Sequence, residues 1–282
     1  MPIHDQGYRR YDGGRAPQGR AWAVITRAGL RSFLGRRICL GLLAFAWFPF
    51  FVRAVQIYAA ASLPQAAFLK PTPDTFRSLL GPGGFAGVLV FLITVYVGSG
   101  LIANDLRANA LQIYLSKPLT RAEYVFGKLA ILMTFLLFVT WVPAILLLVV
   151  QMAFAGNVTF LMNNLFLFPA ITVFALVQVT LVAVTMLALS SLSKSSRYVG
   201  ILYAAMLFFS QALYGVLVAA TRSTAFAWLS FSANLEQVGD AIFRQTPRYA
   251  TPWPVSLLII LGLVTVSGVV LRRRIRGVEV VA

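Results

Sequence analysis

The sequence predicts an all-α integral membrane protein with six transmembrane helices and an N-terminal cytoplasmic amphipathic helix. Of its 282 residues, 59% are hydrophobic and 11% are charged, whereas about a quarter of the residues in a soluble domain are charged. The apolar residues are gathered in six runs, and each run can cross a hydrocarbon core, which takes about 20 helical residues. Nearly all Lys and Arg residues lie outside these runs. These observations indicate that lipid surrounds most of the chain.

The chain divides into three regions at the outer limits of the apolar runs. Residues 1–37 are predicted to form a cytoplasmic tail and an interfacial amphipathic helix, and residues 272–282 a basic cytoplasmic tail. Residues 38–271 between them form the predicted six-helix transmembrane domain. Hydropathy places its spans at residues 38–60, 85–103, 124–150, 166–189, 198–219 and 254–271.

The amphipathic helix is predicted over residues 20–37 from its periodicity. Trp22, Ile25 and Phe33 fall on one helical face, and arginines occupy the opposite face. A basic amphipathic helix directly before a span favours a position in the cytoplasmic interface of the membrane. A simple extension of the first span is the alternative. Gly29 lies in the middle of the apolar face, where we expect it to contribute no burial.

The distribution of positive charge orients the spans. With the N-terminus inside, the cytoplasmic segments, counted with Lys128 just inside the third span, hold eighteen of the 24 Lys and Arg residues, the outer loops hold five, and Arg53 lies in the first span. Such an excess is typical of short cytoplasmic loops. We therefore predict a multi-pass protein of the cytoplasmic (inner) membrane with both termini in the cytoplasm. Anionic membrane lipids then account for the net charge of +16, and no nucleic-acid partner is expected.

The residue types that most enzymes need are scarce. Cys39 is the only cysteine and His4 the only histidine, which disfavours a zinc site or a Ser-His hydrolase. The one Gly-Lys pair, Gly127-Lys128, is followed by Leu129 and lacks the earlier glycine of a phosphate-binding loop. We therefore expect no catalytic residue, metal site or cofactor on this chain. Any ATP hydrolysis is expected on a separate subunit.

Few polar side chains lie within the spans. Arg53 is the one charged residue well inside a span, and its long side chain can reach the outer interface, which is the favoured interpretation. The alternative is a role in a polar pathway, for which Gln178 and Gln211 are further candidates. Glutamines within spans also form hydrogen bonds between helices. No predicted span contains an acidic residue or histidine, so a proton-coupled carrier is disfavoured.

The loop between the second and third spans has its own helical pattern. Residues 105–115 can form a short amphipathic helix, with Asp105 near its N-terminus, where a negative charge suits the helix dipole. Leu111 and Leu115 would form part of its apolar face. Thr120 and Glu123 then form a capping box for the next helix. The helix is interpreted either as a docking element for a cytoplasmic partner or as an interfacial connector.

The segment that follows this helix has a distinctive order. It reads Leu115-Ser116-Lys117-Pro118-Leu119-Thr120-Arg121, followed by Tyr124 and Gly127-Lys128. This order resembles the segment after the second span in ABC-2-type permeases. The resemblance extends to the six-span layout, the basic amphipathic helix and the modest outer loops. The motif residues are Ser116, Pro118, Arg121, Tyr124, Gly127 and Lys128. Many members carry an acidic stretch before this segment, of which only Asp105 remains here.

The resemblance implies the transmembrane subunit of an ATP-binding-cassette exporter. Such subunits pair as homodimers or heterodimers and engage a separate ATPase subunit, which holds ATP and Mg, through the loop after the second span. Gly98 and Gly100 would form a hinge at the inner end of that span, or only allow close helix packing. The ATPase-coupling residues would be Asn104, Asp105, Leu106, Arg107, Asn109, Leu111, Tyr114 and Leu115.

The last outer loop, residues 220–253, contains a short amphipathic pattern formed by Asn234, Leu235, Val238 and Ile242. The family often places small helices there that cover the outer mouth. A non-transporting ABC-2-like subunit, which couples an ATPase to an extracytoplasmic maturation factor, is the alternative function. A secondary carrier is disfavoured for want of intramembrane acidic residues, and a membrane-embedded enzyme for want of a catalytic constellation.

Overall fold

The computed structural model describes residues 21–69, 71–110, 120–154 and 165–275. Within these ranges the chain is helical and contains no β-strand. Six of its helical segments are long and apolar enough to cross a membrane. The predicted all-α membrane fold is therefore confirmed. Its helices are α1 Ala21–Leu34, α2 Arg37–Ala46, α3 Phe48–Ser62, α4 Pro73–Leu80, α5 Gly84–Ile93, α6 Gly100–Arg107, α7 Arg121–Val139, α8 Trp141–Phe154, α9 Leu167–Ser190, α10 Ser196–Thr221, α11 Phe231–Ile242 and α12 Trp253–Arg274.

Three of the spans are built from more than one helix. The first combines α2 and α3, the second α4 to α6, and the third α7 and α8. Pro49 and Pro143 lie in the first turns of α3 and α8, where a residue without an N–H group can follow a break without losing a helical hydrogen bond. In the second span a π-helical turn, Thr94–Gly98, separates α5 from α6.

Helix α9 forms the centre of the bundle. It packs against α7, α8 and α12. Of the residues in its apolar 18-residue stretch, 61% are buried, compared with 11% in the corresponding stretch of α10. The sequences of the two helices do not predict this difference in burial, because apolar residues are spread around both helices. Helix α10 therefore offers the bundle's most open span to lipid or to another protein.

Helix α1 runs alongside the start of α7. Ile25 lies beside Gly127, Gly29 beside Ile131, and the rings of Phe33 and Phe135 are 5.9 Å apart. Because these contacts advance in the same direction along both helices, α1 and α7 are parallel. Arg36 has an extended backbone, with φ −98° and ψ 122°, between α1 and α2. The helix is therefore separate from the first span, and the alternative of a simple extension of that span does not apply.

Gly29 is not buried, as expected, but it has a role in packing that the sequence did not indicate. A Cβ atom built on Gly29 would overlap Cδ1 of Ile131, so the missing side chain lets α1 and α7 approach closely. Helix contacts within membranes often use small residues in this way. The sequence pattern around Gly29 could not show this, because the partner helix lies far along the chain.

Replacing Gly29 by leucine is expected to displace α1 from α7. Overpacking of a tight contact typically costs about 1–3 kcal/mol. Thermal unfolding in detergent, together with tryptic cleavage at Arg27 and Arg31, should report a less stable and more accessible α1. The matched control is Gly41→Leu, because no atom of another helix lies within 4 Å of a Cβ at Gly41. Equal stability and equal cleavage of the two variants would refute the close contact.

Candidate functional site

The second span extends further than predicted and ends in the candidate coupling loop. The prediction of a separate helix that starts at Asp105 is wrong at its start, because residues 104–107 form the last turn of α6. Asn109 ends this stretch with φ 52°, a left-handed conformation that asparagine tolerates. Of the other residues predicted here, Leu111, Tyr114, Leu115, Ser116 and Pro118 lie outside the described ranges.

Asp105 is joined to two residues of the predicted motif. Its Oδ2 accepts a hydrogen bond of 2.7 Å from the Tyr124 hydroxyl and lies 2.7 Å from Nζ of Lys128. Tyr124 and Lys128 are four residues apart on α7, so both side chains lie on the face turned towards α6. The side chains of Lys128 and Asp105 are 14% and 16% exposed. This Asp105–Tyr124–Lys128 cluster ties the end of the second span to the start of the third.

The start of α7 is fixed by the predicted capping box. The Thr120 N–H donates to Oε2 of Glu123 at 3.0 Å, and the Glu123 N–H donates to Oγ1 of Thr120 at 3.2 Å. These bonds satisfy backbone groups that a helix end would leave unpaired. Arg121, the first residue of α7, is exposed. The capping box therefore fixes the direction in which α7 begins. This direction brings Tyr124 and Lys128 to Asp105.

The glycine of the motif serves a different contact from the neighbouring lysine. A Cβ on Gly127 would lie 2.9 Å from Cβ of Ile25 and 3.1 Å from the carbonyl oxygen of Trp22. The Thr26 hydroxyl donates to the Gly127 carbonyl at 3.2 Å. Helix α1 therefore crosses α7 at this glycine, while Lys128 points to α6. One dipeptide thus contacts α1 through its glycine and α6 through its lysine.

The predicted hinge glycines lie beside the π-helical turn. A Cβ on Gly98 would lie 2.6 Å from Cγ of Met186 on α9 and 3.0 Å from Cδ2 of Leu132 on α7. Close packing of three spans, the alternative interpretation, is therefore present at Gly98. Gly100 instead faces the side chain of Asn104 on its own helix. A hinge at Gly98 and Gly100 stays a prediction. The adjacent π-helical turn favours it, since such turns are frequent at functional sites.

Ser190 was not singled out from the sequence, although it stabilises this irregular turn. Its hydroxyl donates to the Ser99 carbonyl at 2.9 Å and accepts bonds from the N–H groups of Ile102 and Ala103 at 3.1 and 3.0 Å. Backbone groups inside a bilayer need such internal partners. A buried serine at the end of an apolar span was the available signal, but its partners could not be deduced.

The sequence was compared with models of known protein families. Residues 35–271 match the family model described as an ABC-2 family transporter protein. The chain belongs to the ABC-2 transporter family. No curated protein matches it. Its ABC-2 region includes α2 to α12 up to Leu271, and α1 precedes it.

Membership in the ABC-2 family assigns the general role. The chain is a multi-pass membrane permease of ABC-type systems, a transport component that is generally not itself catalytic. Membership also implies association with an ABC ATP-binding subunit. Among the described residues there is no group of acidic, His and Cys side chains that could hold a metal ion.

At the opposite end of this ABC-2 bundle lies a buried ion pair that sequence reasoning missed. Nη1 of Arg77 on α4 lies 3.2 Å from Oδ1 of Asp240 on α11, and their side chains are 3% and 1% exposed. Asp74 binds Nε of Arg77 at 3.0 Å and Nη2 of Arg248 at 3.1 Å. Helix α11 confirms the predicted amphipathic pattern. The acidic residue Asp240 in this amphipathic helix was the available sequence signal, because a buried carboxylate requires a partner.

Burial controls the protonation of this pair. Desolvation raises the pKa of Asp240, which lies outside the six spans, to about 6. The positive charge of Arg77 acts in the opposite direction, and the negative charges of Glu236 and Asp74 add to the rise. Because the net direction is upward, the desolvation of this carboxylate outweighs its ion pair.

The three candidate pathway residues lie in different surroundings. Arg53 is half-buried, donates to Gln56 at 3.0 Å, and lines a cavity of about 360 Å³ that Arg77 and Arg248 also line. Gln211 accepts a 2.6 Å hydrogen bond from Ser230, which joins α10 to the start of α11. Gln178 is buried on α9, and its side-chain oxygen has no hydrogen-bond partner among the described residues.

Proposed function

We propose that the chain is the transmembrane permease subunit of an ABC exporter in the cytoplasmic membrane, with both termini in the cytoplasm. ATP hydrolysis on a separate subunit would drive it, through contact with residues 104–115. The observation that carries the proposal is the Asp105–Tyr124–Lys128 cluster. It lies where the candidate coupling loop leaves the second span, and two of its three residues belong to the family motif.

The cluster suits the transmission of force from the loop to the spans. A displacement of the end of α6 also moves α7, because Asp105 is bound to Tyr124 and Lys128. Gly127 carries the same displacement to α1. The π-helical turn Thr94–Gly98 is a place where α6 can tilt against α5. Rigid tilting of helix pairs is a common form of switching between conformations.

A second permease copy is part of the proposal. Only 17% of the most apolar window of the first span and 11% of that of α10 are buried within one chain. Lipid can cover such surfaces, and a second copy, identical or related, can cover part of them. The ATPase subunits would then act in pairs, with ATP and Mg bound to them and not to this chain.

The first test is recovery of the ATPase subunit with the tagged permease from native membranes in mild detergent. We expect an ABC ATP-binding subunit to co-purify with the wild type in equal amount. The Leu111→Asp/Leu115→Asp variant should lose it, because two carboxylates would replace the apolar face proposed for docking. Leu192→Asp is the matched control, since Leu192 is 43% exposed and lies outside that loop.

Two outcomes would contradict the proposal. An ATPase subunit that remains bound to the double variant would overturn the coupling assignment. A pull-down that recovers an extracytoplasmic maturation factor together with the ATPase subunit would favour the non-transporting alternative. Quantitative mass spectrometry of the recovered proteins distinguishes these results.

A further inference from the structure

A cavity of about 470 Å³ lies between α1, α6 and α7, beside the Asp105–Tyr124–Lys128 cluster. Its lining is divided by polarity. One part is apolar and is formed by Ile25, Leu101 and Ile131. The other part is polar and is formed by Ser32, Arg36, Asn104, Asp105 and Lys128. The cavity therefore presents apolar surface and hydrogen-bonding groups to one occupant.

The polar part carries an unbalanced positive charge. Lys128 is paired with Asp105 at 2.7 Å. Arg36 lies over the Phe33 ring, with 5.2 Å between its guanidinium carbon and the ring centroid. Among the described residues no carboxylate lies within ion-pair distance of Arg36. One cation thus remains available at the cavity, and an anionic group can bind it.

The chemistry of the lining matches a phosphate group attached to an apolar body. The Arg36 guanidinium, the Ser32 hydroxyl and the Asn104 amide can all donate hydrogen bonds to phosphate oxygens. Basic pockets between transmembrane helices bind anionic lipid headgroups in this manner. We propose that the cavity binds the phosphate of an anionic glycerophospholipid, with the adjoining apolar part of the lipid against Ile25 and Ile131.

This site would make the lipid a structural link between α1 and the candidate coupling elements. Its lining residues come from α1, from Arg36 in the connection between α1 and α2, from α6 and from the first three turns of α7. A bound headgroup would therefore hold α1 against the end of the second span. The inference requires a membrane protein but no transport activity or ATPase partner, so it stands or falls separately from the proposed function.

The test uses the full chain, purified in detergent and stripped of lipid. Native mass spectrometry and thermal unfolding would be measured with dioleoyl phosphatidylglycerol, dioleoyl phosphatidylcholine and inorganic phosphate. We expect phosphatidylglycerol to bind more tightly than phosphatidylcholine and to raise the unfolding temperature more. Arg36→Gln should weaken phosphatidylglycerol binding about fivefold, the effect of one basic residue near anionic lipid. Arg36→Lys should largely restore it.

Two further variants separate the cavity from general charge attraction. Arg27→Gln removes the same charge from an exposed position of α1 that does not line the cavity, and binding should persist. Ser32→Trp fills the cavity without removing a cation, and binding should fall. Equal binding of the two lipids, or unchanged binding in both Arg36→Gln and Ser32→Trp, would overturn the proposal. A full response to inorganic phosphate alone would overturn the lipid as its source.

Discussion

Replacing Arg77 by methionine is expected to lower the free energy of unfolding by about 3–5 kcal/mol, the usual cost of removing one partner from a buried ion pair. Methionine fills a similar length but offers no charge. The Asp240 side chain is 1% exposed, so water cannot replace the guanidinium. Arg248 lies 3.7 Å from the same carboxylate, and its side chain is 44% exposed, which limits its compensation. Denaturant unfolding in detergent micelles measures the loss.

The pH dependence of this loss identifies its cause. Because the pKa of Asp240 is raised to about 6 in the folded protein, the group favours folding at low pH, and this contribution is lost as the pH rises from about 4 to 6. Removal of Arg77 raises the pKa further. The destabilisation of Arg77→Met should therefore be larger at neutral pH than at about pH 4, where Asp240 is protonated.

Two variants serve as controls for the ion pair. Arg222→Met removes an arginine from an exposed position and should have little effect on unfolding. Arg77→Met/Asp240→Leu removes both charges and should recover much of the lost stability, because no buried charge then lacks a partner. If Arg77→Met is as stable as Arg222→Met at neutral pH, the pair does not hold α4 to α11.

Replacing Lys128 by methionine is expected to reduce the coupling of the permease to its proposed ATPase about tenfold, within the usual range of coupling energies between sites. Asp105 would lose the cation 2.7 Å away and keep only Tyr124 as a partner. Because one hydrogen bond would then hold the end of α6 to α7 in place of two contacts, the two helices would move together less closely. The measurement compares ATP hydrolysis by the reconstituted complex with hydrolysis by the isolated ATPase subunit.

Membrane insertion of the Lys128→Met variant should be normal, because the substitution adds apolar surface at the end of a span. Lys194→Met is the matched control, since Lys194 is exposed on the next loop at the same end of the bundle. Tyr124→Phe keeps the ring but removes the hydroxyl and should show an intermediate defect. A Lys128→Met complex with undiminished coupling would show that the cluster is not part of the transmission.

The existence of the six spans and the start of α7 could be predicted because each depends on a short stretch of sequence. An apolar run of about 20 residues specifies a membrane helix without reference to any partner. The Thr120–Glu123 capping box likewise depends on two residues three positions apart, and the structure contains it. The helical state of α1 followed from the periodicity of its apolar residues, whereas its separation from the first span did not.

The remaining features depend on contacts between distant segments. Helix α6 continues to Arg107 while Asp105 is held by Tyr124 and Lys128, which a local helical pattern cannot reveal. Gly29 is important only because Ile131 lies against it. Arg77 is one of the five basic residues that hydropathy assigns to the outer loops, but it lies on α4 and forms an ion pair with Asp240. The family resemblance indicated Asp105, Tyr124 and Lys128, but not that the three side chains bind one another.

The parallel contact between α1 and α7 also bears on how the protein is made. Thr26 and Gly127, which share a hydrogen bond, are 101 positions apart. At about 5–20 residues per second, a ribosome needs about 5–20 s to synthesise that length. During this delay the nascent α1 has an apolar face and no α7 to receive it. The membrane surface can hold a basic amphipathic helix in the meantime. Helix α1 would then lie first on the membrane surface and dock against α7 once α7 has been synthesised.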